Sequence, residues 1–207
     1  MRRLNLLYAG AARAARSRDL NDLLERFESC VQLYVAEHAP RRVFVHAGVV
    51  GWRGRAIVIP GRSRSGKTTL VAELVRAGAV YYSDEYAVFD GEGRVHPYAR
   101  PLAVREGGSL RQTRRPAEAF GGCAGTGPLP VGLLVASLYE RGARWRPRPL
   151  SPGEAVLEML SNTVPARRSP GRALAALSCA AGTAAALAGS RGEAVRAAEA
   201  ILKSLGA

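Results

Sequence analysis

The sequence predicts a protein of mixed α and β structure, an α/β fold of the α+β type. Short runs rich in β-branched and aromatic residues alternate with stretches whose apolar residues recur every three or four positions. The 207 residues are 47% hydrophobic and 23% charged, which is ordinary for a globular domain. A glycine-rich motif between a predicted strand and a predicted helix is the third observation, and it determines the expected chemistry.

Residues 1–40 are predicted to form an N-terminal helical segment packed on the core, followed by one main domain over 41–207. Apolar residues recur at helical spacing from Asp19 to about His38. Asp19 is a suitable N-cap, and Pro40 ends the helix because proline cannot continue it.

Residues Gly61–Thr68 have the sequence G-x-x-x-x-G-K-T, the pattern of a phosphate-binding loop. A predicted strand, Arg55–Pro60, precedes the loop, and a predicted helix from Lys67 to about Ala77 follows it. Backbone N–H groups of such a loop bind phosphate, so we expect ATP and Mg²⁺ as cofactors. Lys67 is expected to reach the terminal phosphates, and Thr68 to bind Mg²⁺. The predicted cofactor-binding residues are Gly61, Arg62, Ser63, Arg64, Ser65, Gly66, Lys67, Thr68 and Thr69.

Candidate catalytic side chains lie on both sides of the loop. His46 lies on a predicted strand, Arg42–Val50, which we expect to pair with the strand that enters the loop. Another predicted strand, Ala79–Ser83, ends at Asp84 and Glu85, and Asp84 lies 17 residues after the loop lysine. One helix and one strand fit in that interval, which brings both carboxylates back to the loop.

A carboxylate in this position can bind Mg²⁺ or accept the proton of an attacking hydroxyl group. Asp84 is the candidate for both roles, and Glu85 is a second candidate metal ligand. In a generic ATPase, Asp84 would bind Mg²⁺ through water and Glu85 would activate water, but the short spacing favours a small kinase-like site. Asp90 is interpreted as a residue of the hairpin turn Gly91–Gly93.

The rest of the chain is predicted to complete the domain. Residues 106–130 are rich in Gly, Pro, Ser and Arg, and we expect a flexible loop there, either a mobile substrate lid or a disordered insert. Val131–Tyr139 is a strongly apolar strand, and Trp145 is placed on its partner. Helices are expected from Ser151, from Ser169 to about Leu187, and over Gly192–Leu205.

The formal charge of +13 comes almost wholly from arginine, because Lys67 and Lys203 are the only lysines. The arginines are dispersed and lack interleaved aromatic residues, so we do not expect a nucleic-acid partner. An acidic or flexible peptide substrate suits this charge. Three separated cysteines indicate a reducing compartment, and no apolar run is long enough to cross a membrane. We therefore expect a cytoplasmic protein.

The stretch from His46 to Glu85 closely resembles the catalytic domain of bacterial HPr kinase/phosphorylase. Gly54 in the hairpin turn, the loop itself, and Gly78 at the end of the helix all match in register. Ser83-Asp84-Glu85 stands where that family has a pair of aspartates. The resemblance implies a fold shared with phosphoenolpyruvate carboxykinase: a mixed, mostly antiparallel sheet flanked by helices.

The resemblance also implies roles. Asp84 matches an aspartate that acts as acid and base for the acceptor serine hydroxyl. His46 matches a histidine near the terminal phosphate, although a hydrogen-bonded core histidine is the alternative interpretation. Arg100, Arg105 and Arg191 are weaker candidates for contact with the transferring phosphoryl group.

The function expected from these residues is that of an ATP- and Mg²⁺-dependent kinase acting on a serine or other hydroxyl of a protein or peptide. The chain looks most like short, stand-alone members of the family, some of which phosphorylate a serine of a ribosomally made precursor peptide. A nucleotide-binding regulatory module without transfer and a small-molecule kinase are the alternatives. A homo-oligomer is compatible with the resemblance.

Overall fold

The computed structural model describes residues 4–62, 65–105 and 112–205. The chain divides into two compact units, Met1–Pro40 and Arg41–Ala207. Two antiparallel strands, β1 (Asn5–Ala9) and β2 (Ala12–Ser17), begin the first unit, and helix α1 (Leu20–His38) follows. The Asp19 side chain caps α1 by accepting a hydrogen bond from the Asn21 N–H. The helix and its cap were predicted, whereas the hairpin was not.

The second unit is built on an eight-stranded sheet. Its eight strands are β3 (Val43–Trp52), β4 (Arg55–Pro60), β5 (Val80–Ser83), β6 (Tyr86–Phe89), β7 (Val95–His96), β10 (Val131–Tyr139), β11 (Arg148–Pro149) and β12 (Ala185–Arg191). A separate two-stranded sheet consists of β8 (Leu102–Arg105) and β9 (Gln112–Arg115). The order is β11-β12-β10-β4-β3-β6-β7, and β5 also pairs with β3. Among the strands of the described residues, only β10 makes parallel strand pairs, with β4 and β12. The sheet is therefore mostly antiparallel, which confirms that prediction.

Helices cover both faces of the sheet. They are α2 (Lys67–Arg76), α3 (Pro152–Leu160), α4 (Pro170–Gly182) and α5 (Ala194–Ser204). One apolar core joins α2 and α5 to the sheet, and the other joins α3 and α4 to the opposite face. In α2, Leu70 and Leu74 are fully buried, and burial of each side chain contributes about 1.5–3 kcal/mol. This burial fixes α2, and with it the preceding loop, on the sheet.

The capping box predicted at the start of α3 is present, with Ser151 and Glu154 hydrogen-bonded to each other's backbone N–H groups. Two other expectations were wrong. The helix expected to run to about Leu187 ends at Gly182, and the chain then forms β12. Trp145 lies outside the strands, because the partners of β10 are β4 and β12.

The described part of the glycine-rich segment contains local structure. A 3₁₀ helix, Ala117–Phe120, buries both of its end residues. The Tyr81 N–H donates to the Cys123 carbonyl, and the Gly125 N–H donates to the Tyr81 carbonyl, so this segment is tied to β5. Gly125 permits the contact because a Cβ there would overlap the Tyr82 ring. Residues 106–111 of the predicted loop lie outside the described residues. Among the described helices, none combines the length and the apolar character needed to cross a bilayer.

Candidate phosphate-binding site

The loop between β4 and α2 forms the centre of the candidate site. Gly66 is the N-cap of α2 and has φ of +81°, a left-handed conformation that glycine adopts without strain. The cap carries no side-chain hydrogen bond. The start of α2 therefore presents backbone N–H groups and the positive end of the helix dipole, as anion binding requires.

Lys67 lies inside this loop. Its side chain is only 9% exposed, and Nζ donates hydrogen bonds of 2.7 Å to the carbonyl oxygens of Gly61 and Arg62. The Gly61 N–H in turn donates to the His46 carbonyl at 3.1 Å, which ties the loop to β3. The lysine ammonium group is therefore held within the curve of the loop.

β3 passes beneath the site and carries His46. As predicted, β3 pairs with β4, and Ala47 lies opposite Pro60 at the entrance to the loop. A Cβ on Gly48 would come within 2.5 Å of a methyl group of Val71, so glycine is what lets α2 pack this closely on β3. The His46 ring lies 4.6 Å from the Tyr86 ring, centroid to centroid.

The turn between β5 and β6 brings the two candidate carboxylates to the other side of β3. Ser83 is 2% exposed, and its hydroxyl accepts hydrogen bonds from the N–H groups of Glu85 and Tyr86 at 3.1 and 3.0 Å. The Ala47 N–H donates to the Glu85 carbonyl at 3.1 Å. Only β3 separates this turn from the phosphate-binding loop, so the two backbones lie about 10 Å apart across two strand spacings. Side chains from both can meet above β3.

Asp84 is half-buried, and Tyr81 holds its carboxylate. The Tyr81 hydroxyl lies 3.0 Å from Asp84 Oδ1 and 2.7 Å from the Arg100 carbonyl oxygen, with the ring 1% exposed. Burial and the charge of Asp84 raise the pKa of Tyr81 far above its usual value, so the phenol stays protonated and remains a donor. Glu85 is exposed beside it.

The electrostatics link these groups. Burial lowers the pKa of Lys67, and the negative charges of Asp84 and Glu85 oppose that shift. Burial and the charge of Lys67 lower the pKa of His46 from its usual 6.5, so the imidazole is mainly neutral at pH 7. A hydrogen bond with the Glu85 backbone acts in the opposite direction. Lys67, the two carboxylates and a neutral imidazole therefore act on one another in the site.

Arg191 is a further group at the loop. It ends β12, and the carboxyl ends of the parallel strands β4, β10 and β12 lie at one edge of the sheet, where ligands of such sheets bind. Its Nη2 donates to the Gly66 carbonyl at 2.9 Å, and the side chain is 2% exposed. Among the described residues, Arg191 Nε is buried without a hydrogen-bond partner. Burial lowers the pKa of Arg191, against the effects of Tyr139 and Glu193, yet guanidinium stays charged.

The remaining predicted site residues are placed as follows. Thr68 is half-buried at the second position of α2, and Thr69 is exposed. Ser63 and Arg64 lie outside the described residues, as does the side chain of Arg105. The backbone carbonyl of Arg100 is close to the site, because it accepts a hydrogen bond from the Tyr81 hydroxyl. Within the described residues, no group of three or more His, Cys, Asp or Glu side chains converges to hold a metal ion.

Sequence reasoning did not single out Tyr81 or Gly48, and it gave Arg191 only a minor place. A tyrosine buried in a strand needs a hydrogen-bond partner, and Asp84 is close in sequence, so a signal for Tyr81 was present. The position of Arg191 beside the loop was not predicted, because the residues before it were assigned to a helix and not to β12. No protein-family model matches the chain. A search of curated proteins also finds no match.

Proposed function

We propose that the protein is a kinase that uses ATP and Mg²⁺ to phosphorylate a serine or other hydroxyl group of a protein or peptide. The observation that carries the proposal is that β3 alone lies between the loop that holds Lys67 and the turn that carries Asp84 and Glu85, with backbone hydrogen bonds from β3 to both. A phosphate-binding loop alone fits any nucleotide-binding protein. A carboxylate on the turn beside the loop adds a base for the acceptor hydroxyl.

The chain's residues fit the phosphates and the metal ion. A Cβ on Gly61 would lie 3.0 Å from the Ser65 hydroxyl oxygen, so glycine keeps the loop open. The uncapped start of α2 offers N–H donors, and Arg191 has a buried Nε–H without a partner in the described part of the chain. Thr68, with Asp84 or Glu85, would bind Mg²⁺ through oxygen atoms, as that ion prefers.

The catalytic roles follow from these positions. ATP supplies the phosphoryl group when bound, and Mg²⁺ neutralises charge on its phosphates. Asp84 accepts the proton of the acceptor hydroxyl as that oxygen bonds to the γ-phosphorus, and the bond from the γ-phosphorus to the leaving oxygen of ADP breaks. Lys67 and Arg191 provide fixed positive charge, while the one N–H of neutral His46 is directed to the Glu85 backbone. Catalysis would rest on positioning and charge stabilisation.

We also propose that the second unit has the P-loop fold of HPr kinases. A mostly antiparallel sheet with a loop helix packed on one face supports this assignment. This fold does not by itself establish kinase activity, because a regulatory module could bind nucleotide with the same loop.

The test is incubation with γ-labelled ATP and Mg²⁺, together with the peptides and proteins encoded beside its gene. We expect label on a serine of one of them. The Lys67→Met variant should lose transfer by roughly 100- to 1,000-fold, because it removes a fixed charge from the phosphoryl group. Lys203→Met is the matched control, since Lys203 is exposed in the last turn of α5. Tight ATP binding with neither transfer nor hydrolysis would overturn the kinase and favour the regulatory module.

A further inference from the structure

The first unit exposes an apolar stripe along α1. Its members, which we call the α1 stripe, are Leu20, Leu24, Phe27, Val31, Tyr34 and His38. The first five side chains are between 44% and 64% exposed. Successive members are four and three residues apart in turn, so they lie in one line on the helix. The charged residues of α1 lie elsewhere on its surface: Asp22, Glu25, Arg26, Glu28 and Glu37.

The unit has very little core of its own. Among its described residues, only Leu23 and Ala36 are buried apolar side chains. Units of about 40 residues or fewer usually need disulfides, metals or oligomerisation to be stable. Cys30 is the only cysteine between residues 1 and 40, so the unit cannot close an internal disulfide. Within the described residues, no cluster of metal-binding side chains exists either.

We propose that the α1 stripe is the contact surface of a homodimer, in which α1 of one copy packs along α1 of a second copy. The alternating four-three spacing is the pattern of two helices that pack along their length in a coiled coil. Over 19 residues the pattern covers more than two heptads. Aromatic and branched side chains fill the stripe, with a histidine only at its end.

The area available is that of a small interface. Taking roughly 200 Å², the value for an aromatic side chain, as the upper value for every residue, the first five stripe residues and their neighbour Val35 offer at most about 600 Å² per copy. Two copies together would bury at most about 1,200 Å², the lower end of the range for specific protein–protein interfaces. The stripe with Val35 therefore fits a weak, reversible dimer.

The charges favour a second copy over a lipid surface. The helix carries four acidic residues and one arginine outside the stripe, so its polar face is acidic. Helices that bind membrane surfaces carry Lys and Arg on that face. The hairpin and its connection to α1 carry Arg13, Arg16 and Arg18, of opposite sign to the helix. One unit therefore presents both an acidic and a basic surface, which two copies can match to each other.

The first experiment measures the mass of the full chain in solution by sedimentation equilibrium over a wide concentration range. We expect a dimer, and a monomer for Phe27→Glu, with the dissociation constant raised at least about 100-fold because two charges would be buried together. Leu33→Glu is the matched control. Leu33 is 44% exposed on the same helix, as Val31 is, but lies off the stripe. A wild-type chain that is monomeric throughout would overturn the proposal.

A second measurement remains informative if Phe27→Glu disturbs folding. Replacing Cys123 and Cys179 by serine leaves Cys30, which is exposed and one residue from the middle of α1. Because Cys30 is close to the middle of α1, the two Cys30 side chains lie at about the same level along the helix axes in either a parallel or an antiparallel pair. A thiol cross-linker that spans about 10 Å, a helix-to-helix distance, should therefore give a covalent dimer. If the chain that retains Cys30 alone gives no covalent dimer with this cross-linker, the two α1 helices do not pack side by side and the stripe is not the interface.

Discussion

Two turns of the sheet, only six residues apart, present their aspartates in opposite ways. Asp90 follows β6, is 6% exposed, and accepts four hydrogen bonds of 2.9–3.0 Å from the Glu92 N–H, the Arg94 N–H and Nε, and His96 Nε2. Asp84 follows β5 and is half-buried. In the described part of the chain, its side chain accepts one hydrogen bond, from Tyr81.

The difference separates a structural carboxylate from one that remains available for chemistry. Burial opposes ionisation of Asp90, but the hydrogen bonds from His96, Arg94 and Glu92 outweigh it and lower its pKa to about 2. A carboxylate with so many donors is a poor base. Asp84 keeps an oxygen without a hydrogen bond from the described residues, and β3 alone lies between its turn and the phosphate-binding loop.

The largest expected effect is on catalysis, from Asp84→Asn. This variant keeps the shape of the side chain and removes the proton acceptor, so the transfer rate should fall by roughly 100- to 10,000-fold. Nucleotide binding, measured by titration with a fluorescent ATP analogue, should remain. Asp90→Asn is the matched control, and its transfer rate should equal that of the wild type. If Asp84→Asn transfers phosphate normally, Asp84 is not the base.

The second effect is on stability, and here the larger effect is expected at Asp90 and the smaller at Asp84. Asp90→Asn loses a charged acceptor for four donors in a buried turn, so the free energy of unfolding should fall by about 2–3 kcal/mol. Asp84→Asn should change it by less than about 1 kcal/mol, because that side chain is only half-buried. Urea unfolding followed by circular dichroism measures both. Equal losses in the two variants would remove the distinction between the turns.

The pH dependence of stability gives a smaller effect with a definite sign. The folded-state pKa of Asp90, about 2, lies below the ordinary value of 3.8. Its contribution to stability is therefore complete above about pH 5 and is lost as the pH falls through about 2. The difference in unfolding free energy between wild type and Asp90→Asn should narrow across that interval. A constant difference down to pH 2 would mean that the ionised carboxylate does not stabilise the turn.

Local sequence signals were enough to predict most of the elements around the site. The Gly61–Thr68 pattern, the helical period of α2 and the turn glycines after Asp90 each depend on near neighbours, and the structure places these elements as expected. Asp90 was assigned to a hairpin turn on the same grounds. The carboxylates after β5 could be located because one helix and one strand have nearly fixed lengths.

Features that depend on distant contacts were not predictable in this way. β12 consists largely of small residues and has no alternating pattern, and it becomes a strand because it pairs with β10. Arg191 reaches the loop only through that pairing, 125 residues from Gly66 in sequence. Gly125 packs against the Tyr82 ring and Gly122 against Val75, contacts that composition does not indicate.

The smallest effect concerns the single side chain that positions Asp84. Tyr81→Phe removes the buried hydroxyl, whose single proton is shared between the Asp84 carboxylate and the Arg100 carbonyl, without changing the ring. The transfer rate should therefore fall by about tenfold, with ATP binding unchanged. Tyr82→Phe is a closely matched control, because the adjacent tyrosine also donates a hydrogen bond, but to the Gly127 carbonyl at 2.8 Å. If both variants lose the same activity, the loss reflects packing of β5. If only Tyr81→Phe is slow, the phenol orients the base. Asp84 then differs from Asp90 in having one donor that aligns its carboxylate, whereas four donors occupy both oxygens of Asp90.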